Sequence, residues 1–174
     1  MKTLALILVA VLIGSPAFAD DKTREAQTED ILEAVIRFRV EEDTRNRIDV
    51  SVYYLVIEPK DAVPIESLQT VEEQIKEAER SNPSDALMKR LADLKGRVRK
   101  RYDPAAKPRA ADDQSALIVV KLPTWKSDAE VEVRGYSPPS SYGYKGDRRT
   151  LAQDSYELRK ENGAWKVHGR GASQ

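Results

Sequence analysis

Tyr156-Glu157-Leu158-Arg159-Lys160-Glu161-Asn162-Gly163-Ala164-Trp165-Lys166-Val167 reads as a β-hairpin, and the rest of the chain can be assembled around it. Asn162 and Gly163 both tolerate positive φ, as a two-residue hairpin turn requires. Counting outward from that turn sets Lys160 against Trp165, Leu158 against Val167 and Glu157 against His168. Tyr156, Leu158, Trp165 and Val167 then share the buried face, because successive side chains of a strand point to opposite sides. The first arm of the hairpin extends back to Thr150.

Upstream of the hairpin the β pattern continues. Ala129 to Tyr136 alternates, with Val131 and Val133 inward, and Ala116 to Leu122 is nearly continuous aliphatic. Near the other end, Ile48, Val50, Val52, Tyr54 and Val56 alternate with Asp49, Ser51 and Tyr53, and Leu55 to Ile57 is apolar on both faces. A strand apolar on both faces belongs in the middle of a sheet.

Three segments carry helical spacing instead. Ile31, Leu32, Val35, Ile36 and Phe38 mark an amphipathic helix from Arg24 to Glu42, broken by Thr44-Arg45-Asn46-Arg47. Beyond Pro59 and Pro64, a second helix is marked by Ile65, Leu68, Val71, Ile75 and Ala78 and ends at Ser81-Asn82-Pro83-Ser84. Leu87, Leu91, Leu94 and Val98 place a third on the same pattern, ending near Tyr102 and Asp103-Pro104. The last two are expected to form a helical hairpin. A stretch near 103–115, rich in Ala, Pro, Lys and Asp without periodicity, reads as a mobile loop. The fold class expected is α+β: a curved antiparallel sheet of about five strands, packed by an N-terminal helix and a helical hairpin. Sheets of this kind often curl into a cone with a pocket.

The ends and composition bound the rest. Met1-Lys2-Thr3, an apolar run from Leu4 to Ile13, and Ala17-Phe18-Ala19 before Asp20 have the form of a secretory signal peptide cut after Ala19. Residues 1–19 are therefore expected to be a leader and 20–174 a single α+β domain, exported to the periplasm or beyond, with no transmembrane segment after processing. Cys is absent, so neither disulfides nor thiolate metal sites contribute. Lys+Arg and Asp+Glu are both 29, which leaves no global attraction for nucleic acid. With one His and no Cys, neither a metal nor a cofactor is expected.

Two stretches carry a resemblance. Leu117-Ile118-Val119-Val120-Lys121-Leu122-Pro123-Thr124-Trp125-Lys126-Ser127-Asp128-Ala129-Glu130-Val131-Glu132-Val133, followed by Tyr156 to Val167, is similar to small secreted bacterial proteins of uncharacterised function. These resemble in turn the nuclear-transport-factor-two-like superfamily of α+β cones, which includes ketosteroid-isomerase-like and polyketide-cyclase-like enzymes. The resemblance implies a cone that holds an acid or base in enzymes and serves binding or dimerisation in other relatives. None of the family's catalytic motifs can be matched here residue by residue. The chain also departs from its closer relatives by an inserted helix around Val71 to Arg80 and by Ser137-Pro138-Pro139.

The candidate chemistry is sparse. His168 is the only side chain whose ordinary pKa suits proton transfer near neutrality, and the hairpin register sets it against Glu157. Such a pair can be a base with its orienting carboxylate, or simply a cross-strand pair on a solvated face. Asp154 and Glu157 are the carboxylates that an isomerase or hydrolase of ketosteroid-isomerase-like type would use as base. The basic run Lys95, Arg97, Arg99, Lys100 and Arg101 can bind an anion, but an acidic helix carrying Glu66, Glu72, Glu73, Glu77 and Glu79 beside it is a sufficient account. Tyr136, Tyr142 and Tyr144, interleaved with Arg148 and Arg149, have the mixture of amphipathic rings and guanidinium forks that recognition surfaces favour. The function expected is a non-enzymatic module that binds a small molecule or an envelope protein. The alternatives are the small hydrolase or isomerase and a self-associating structural module, a homodimer among its forms.

Overall fold

A computed structural model of the protein describes residues 21–48, 50–59, 61–62, 69–94, 97–100, 115–137 and 152–173. The leader expected over 1–19 lies outside these residues. So do the loop expected near 103–115, apart from Ser115, and Tyr142, Tyr144, Arg148 and Arg149.

The elements run α1 (Asp21–Arg45), β1 (Val52–Glu58), α2 (Val71–Arg80), α3 (Asp85–Arg90), a 3-10 turn (Ala92–Leu94), β2 (Val98–Lys100), β3 (Ser115–Lys121), β4 (Thr124–Ser127), β5 (Glu130–Ser137), β6 (Ala152–Glu161) and β7 (Ala164–Ser173). One seven-stranded sheet has the order β2-β1-β3-β5-β6-β7, with β4 paired to β5 off that path. The α+β class holds, and β1 sits between two neighbours as its two-sided apolar end demanded.

Three expectations are overturned, the first being the count, since the sheet has seven strands rather than about five. The sheet is mixed rather than antiparallel, because β1 runs parallel to both β2 and β3. Parallel neighbours require long crossovers, and α2 with α3 fills the one between β1 and β2. The third helix does not reach Val98 either. It stops at Arg90, continues as the 3-10 turn and gives way to β2, where Val98 pairs with Tyr53. Apolar steps of four and three residues over Leu87, Leu91 and Leu94 suit a short helix followed by a 3-10 turn as well as one longer helix. Strand pairing then takes Val98, and Gly96 in the sequence disfavours a continuous helix.

Between β3 and β4 stands Pro123, which has no N–H for a ladder. The two strands form one antiparallel flank of β5, β3 opposite its end through Val119↔Tyr136 and β4 opposite its start through Trp125↔Val131. At the β3 contact, the Cα of Gly135 comes so close to β3 that an added Cβ would lie 2.6 Å from the Val119 carbonyl oxygen. The hairpin turn is as the residues required, with φ 51° at Asn162 and 84° at Gly163.

One face of α1 packs on the sheet through Ile31, Leu32, Val35, Ile36 and Val40, against Tyr53, Leu55, Val120, Val131, Val133, Tyr156, Leu158 and Trp165. Leu158, Val131, Val133 and Leu55 are fully buried, and each large apolar side chain so buried contributes about 1.5–3 kcal/mol. Polar contacts fix the outer side of the helix to the 3-10 turn and the end of α3: Arg37 donates to Asp93 at 2.8 and 2.9 Å and to the Arg90 carbonyl at 2.7 Å. At the other end of α1, Lys160 donates to Gln27 at 2.8 Å, and the Trp125 and Trp165 rings meet edge to face at 5.6 Å.

The helix closes with Arg47 in the left-handed region at φ 57°. The amide of Ile48 donates to the Asp43 carbonyl at 2.9 Å and that of Arg47 to the Thr44 carbonyl at 3.1 Å, the two bonds of a Schellman cap. Glycine ordinarily takes that position, and a β-carbon there costs about 1–2 kcal/mol.

Candidate functional site

The apolar stripe of α1 does not run to the helix end. Continued in steps of three and four from Leu32, Ile36 and Val40, it passes onto Arg39 and Asp43, and Asp43 is only 4 % exposed. Burying charge in this way requires partners, and the sheet supplies them. Asp154 of β6, also 4 % exposed, lies two residues from Tyr156 and so shares its inward face.

Both oxygens of Asp154 are occupied. Oδ1 accepts from Arg170 Nε at 3.0 Å and Nη2 at 2.8 Å. Oδ2 accepts from Arg39 Nη1 at 3.4 Å and from the Tyr156 hydroxyl at 3.3 Å. Arg170 also bonds Glu42 of α1, and Arg39 Nε lies 3.4 Å from Asp43, whose other oxygen accepts from the Tyr53 hydroxyl at 3.2 Å. Phe38 closes over Tyr156 edge to face at 6.2 Å. The result is a chain of alternating charge between helix and sheet, with a phenol at each end.

Arg170 reaches this chain because of a β-bulge. The β6–β7 ladder pairs Leu158 with Val167 but Glu157 with Gly169, so His168 is the extra residue. One inserted residue reverses the inward and outward alternation beyond it. Arg170, outward in a regular ladder, therefore sits opposite Tyr156 on the buried face. The expected Glu157–His168 pair is overturned by the same bulge. His168 Nε2 instead lies 2.8 Å from Glu161 Oε1, and Glu157 is exposed beside Lys126 at 3.4 Å.

The three carboxylate and imidazole candidates are thus not brought together: Asp154 faces inward between two guanidiniums, whereas Glu157 and His168 face outward with other partners. Tyr136 is a residue of β5 opposite Val119. Of the basic run, Lys100 donates to Asp85 of α3 at 2.6 Å rather than to the acidic residues of α2. Arg97 donates to the Val50 carbonyl at 2.8 Å and lies 5.5 Å from the Tyr53 ring centre. Beside it is a shallow, open groove of about 470 Å³ lined by Thr44, Arg47, Ile48, Val50, Ser51 and Arg97. Sequence reading missed Arg39, Asp43, Arg170 and this groove; Arg39 and Asp43 were visible as charges continuing an apolar stripe.

Among the described residues, no group of three or more His, Cys, Asp or Glu side chains is placed to hold a metal ion, and no helix is long and apolar enough to cross a membrane.

Burial, reinforced by the Asp154 carboxylate, pushes the Tyr156 hydroxyl up to about 12. Burial likewise, with Asp43 next, pushes Tyr53 up to about 12. A phenol unfolds to an ordinary value of about 10, so the folded state holds these protons more tightly. Stability from this source is complete below the unfolded value and is lost as pH rises through the folded one. Urea midpoints should hold steady in the approach to pH 10 and then fall between pH 10 and 12. Tyr156→Phe should flatten that fall, and a fall of unchanged steepness in this variant would refute the assignment of Tyr156 to it.

Comparison with family models, with curated proteins and with solved structures finds no match for this chain.

Proposed function

We propose that the chain is a non-enzymatic binding module, exported by its leader and built on the cone-type sheet that its C-terminal residues resemble. The observation that carries this reading is the state of Asp154. A general base needs a free lone pair within reach of substrate. Here the best-placed carboxylate is sealed under α1, and its oxygens accept from Arg39, Arg170 and Tyr156. Core side chains of α1 occupy the sheet face where a cone enzyme would admit substrate. Nothing comparable surrounds His168, which stands half-exposed on the outer face beside Glu161.

The test pairs two measurements. Native mass spectrometry of the mature protein, purified from its own envelope fraction, should show a retained ligand or partner. The same protein should not isomerise a β,γ-unsaturated ketosteroid. Turnover that disappears in Asp154→Asn would overturn the reading in favour of the isomerase alternative, and a bare monomer without retained mass would remove its support.

A further inference from the structure

We infer that the groove between the end of α1 and the starts of β1 and β2 binds the oxyanion head of a small amphiphilic molecule, a carboxylate or phosphate, through Arg47 and Arg97. The inference rests on the binding-module reading and gives that module a ligand class.

The groove has the two components such a ligand needs. Arg47 and Arg97 line it with planar forks of N–H donors, which match two oxygens of a carboxylate or phosphate. Half-buried Ile48, beside the nearly buried Val50, gives it a small apolar side for the start of the rest of the molecule. Its volume of about 470 Å³ is open to solvent, so it would hold the head of a molecule rather than enclose the whole of it. Arg97 is held in place from behind by the Val50 carbonyl at 2.8 Å and the Tyr53 ring at 5.5 Å. That leaves it pre-organised rather than free to search, which lowers the entropy lost on binding. The Thr44 hydroxyl donates to the Val40 carbonyl at 2.8 Å, and the guanidiniums are the charged donors of the lining. Among the described residues, the nearby buried carboxylate, Asp43, is turned away toward Arg39 and Tyr53.

Arg47 supplies the second argument. It occupies, at φ 57°, the cap position where glycine would be free of strain. A cation at a helix C-terminus is favourable, yet Arg45 already fills that role in the last turn. A side chain kept at a backbone cost, exposed and lining a groove, is what a binding residue looks like.

The experiment titrates the mature protein by calorimetry with hexyl phosphate, hexanoate and hexanol. Hexyl phosphate or hexanoate should bind and hexanol should not. Arg47→Ala should weaken the anion at least tenfold. Arg47→Gly should weaken it as much while raising Tm by roughly 2–4 °C, because it removes the strain. Arg97→Lys, which retains the charge and loses the fork, should weaken it as well. Sedimentation with phosphatidylglycerol vesicles separates two sources: co-sedimentation abolished by Arg47→Ala assigns a lipid headgroup, and no co-sedimentation assigns a soluble molecule. Absence of binding by both anions, or Arg47→Ala binding as wild type, overturns the groove. If the envelope-purified protein still carries a retained mass in the Arg47→Ala form, the groove fails while the binding-module reading stands.

Discussion

Replacing Asp154 with Ala should lower the stability of the protein by about 3–5 kcal/mol, the range for breaking a buried ion pair by deleting one partner. The cost comes from what remains. Arg39, 16 % exposed, would keep its charge under α1 and Arg170, 30 % exposed, its own at the rim, with no carboxylate between them, and the Tyr156 hydroxyl would lose its acceptor. Asp43 and Glu42 pair with the other sides of the two arginines. Urea unfolding at neutral pH measures the loss. Repeating it on Asp154→Leu combined with Arg39→Met, Arg170→Met and Asp43→Leu separates charge from packing, since a buried network replaced whole by apolar groups recovers most of the stability. A single-variant loss below about 1 kcal/mol would mean that water already shares the work of Asp154.

The second large effect is expected at Gly135. An added Cβ would lie 2.6 Å from the Val119 carbonyl oxygen, which is backbone and cannot rotate away. Strand β3 must move instead, and its registered pairing with β5 is confined to Val119↔Tyr136 and Val120↔Gly135. That seam joins the parallel half of the sheet to the antiparallel half. Gly135→Ala should therefore cost about 3 kcal/mol, the upper end for overpacking. Gly171→Ala, where nothing lies within 4 Å, should stay within about 0.5 kcal/mol of wild type. Paired thermal melts of the two variants decide it, and equal melting temperatures would show that β3 yields freely.

The legible part of the fold was the part governed by local periodicity. Alternation located β1, β5 and β6, a nearly continuous aliphatic run located β3, the Asn162-Gly163 turn set the register nearest to it, and helical spacing located α1. What escaped was set by distant pairing or by a single inserted residue. Val98 continued an apolar helical stripe until Tyr53 claimed it as a strand partner. β4 was hidden because Pro123 splits a flank whose two pieces look unrelated in sequence. The direction of β1 relative to β3 depends on a crossover, which residue alternation does not encode.

The site was less legible than the fold for the same reason. Asp154 could be named as a carboxylate, but its partners come from α1 and from beyond the bulge on β7. Alternation counted straight past His168 puts Arg170 on the wrong face. Arg97 was visible within a basic run, whereas Arg47 acquires meaning only from its φ and its place beside Arg97.

The bulge at His168 has an effect at the margin of the sheet as well. β7 ends the strand order, so one side of it offers backbone groups that no described strand uses. An open margin of this length is a template on which another chain can pair and begin to aggregate. The inserted residue breaks that template into a run before His168 and a run after it, out of step with each other. An incoming straight strand can match one run and not both. Lys166, exposed on the first run, adds a charge that must be desolvated on contact. The residue that turns Arg170 inward to satisfy Asp154 also makes the edge of the sheet a poor place for a second chain to dock.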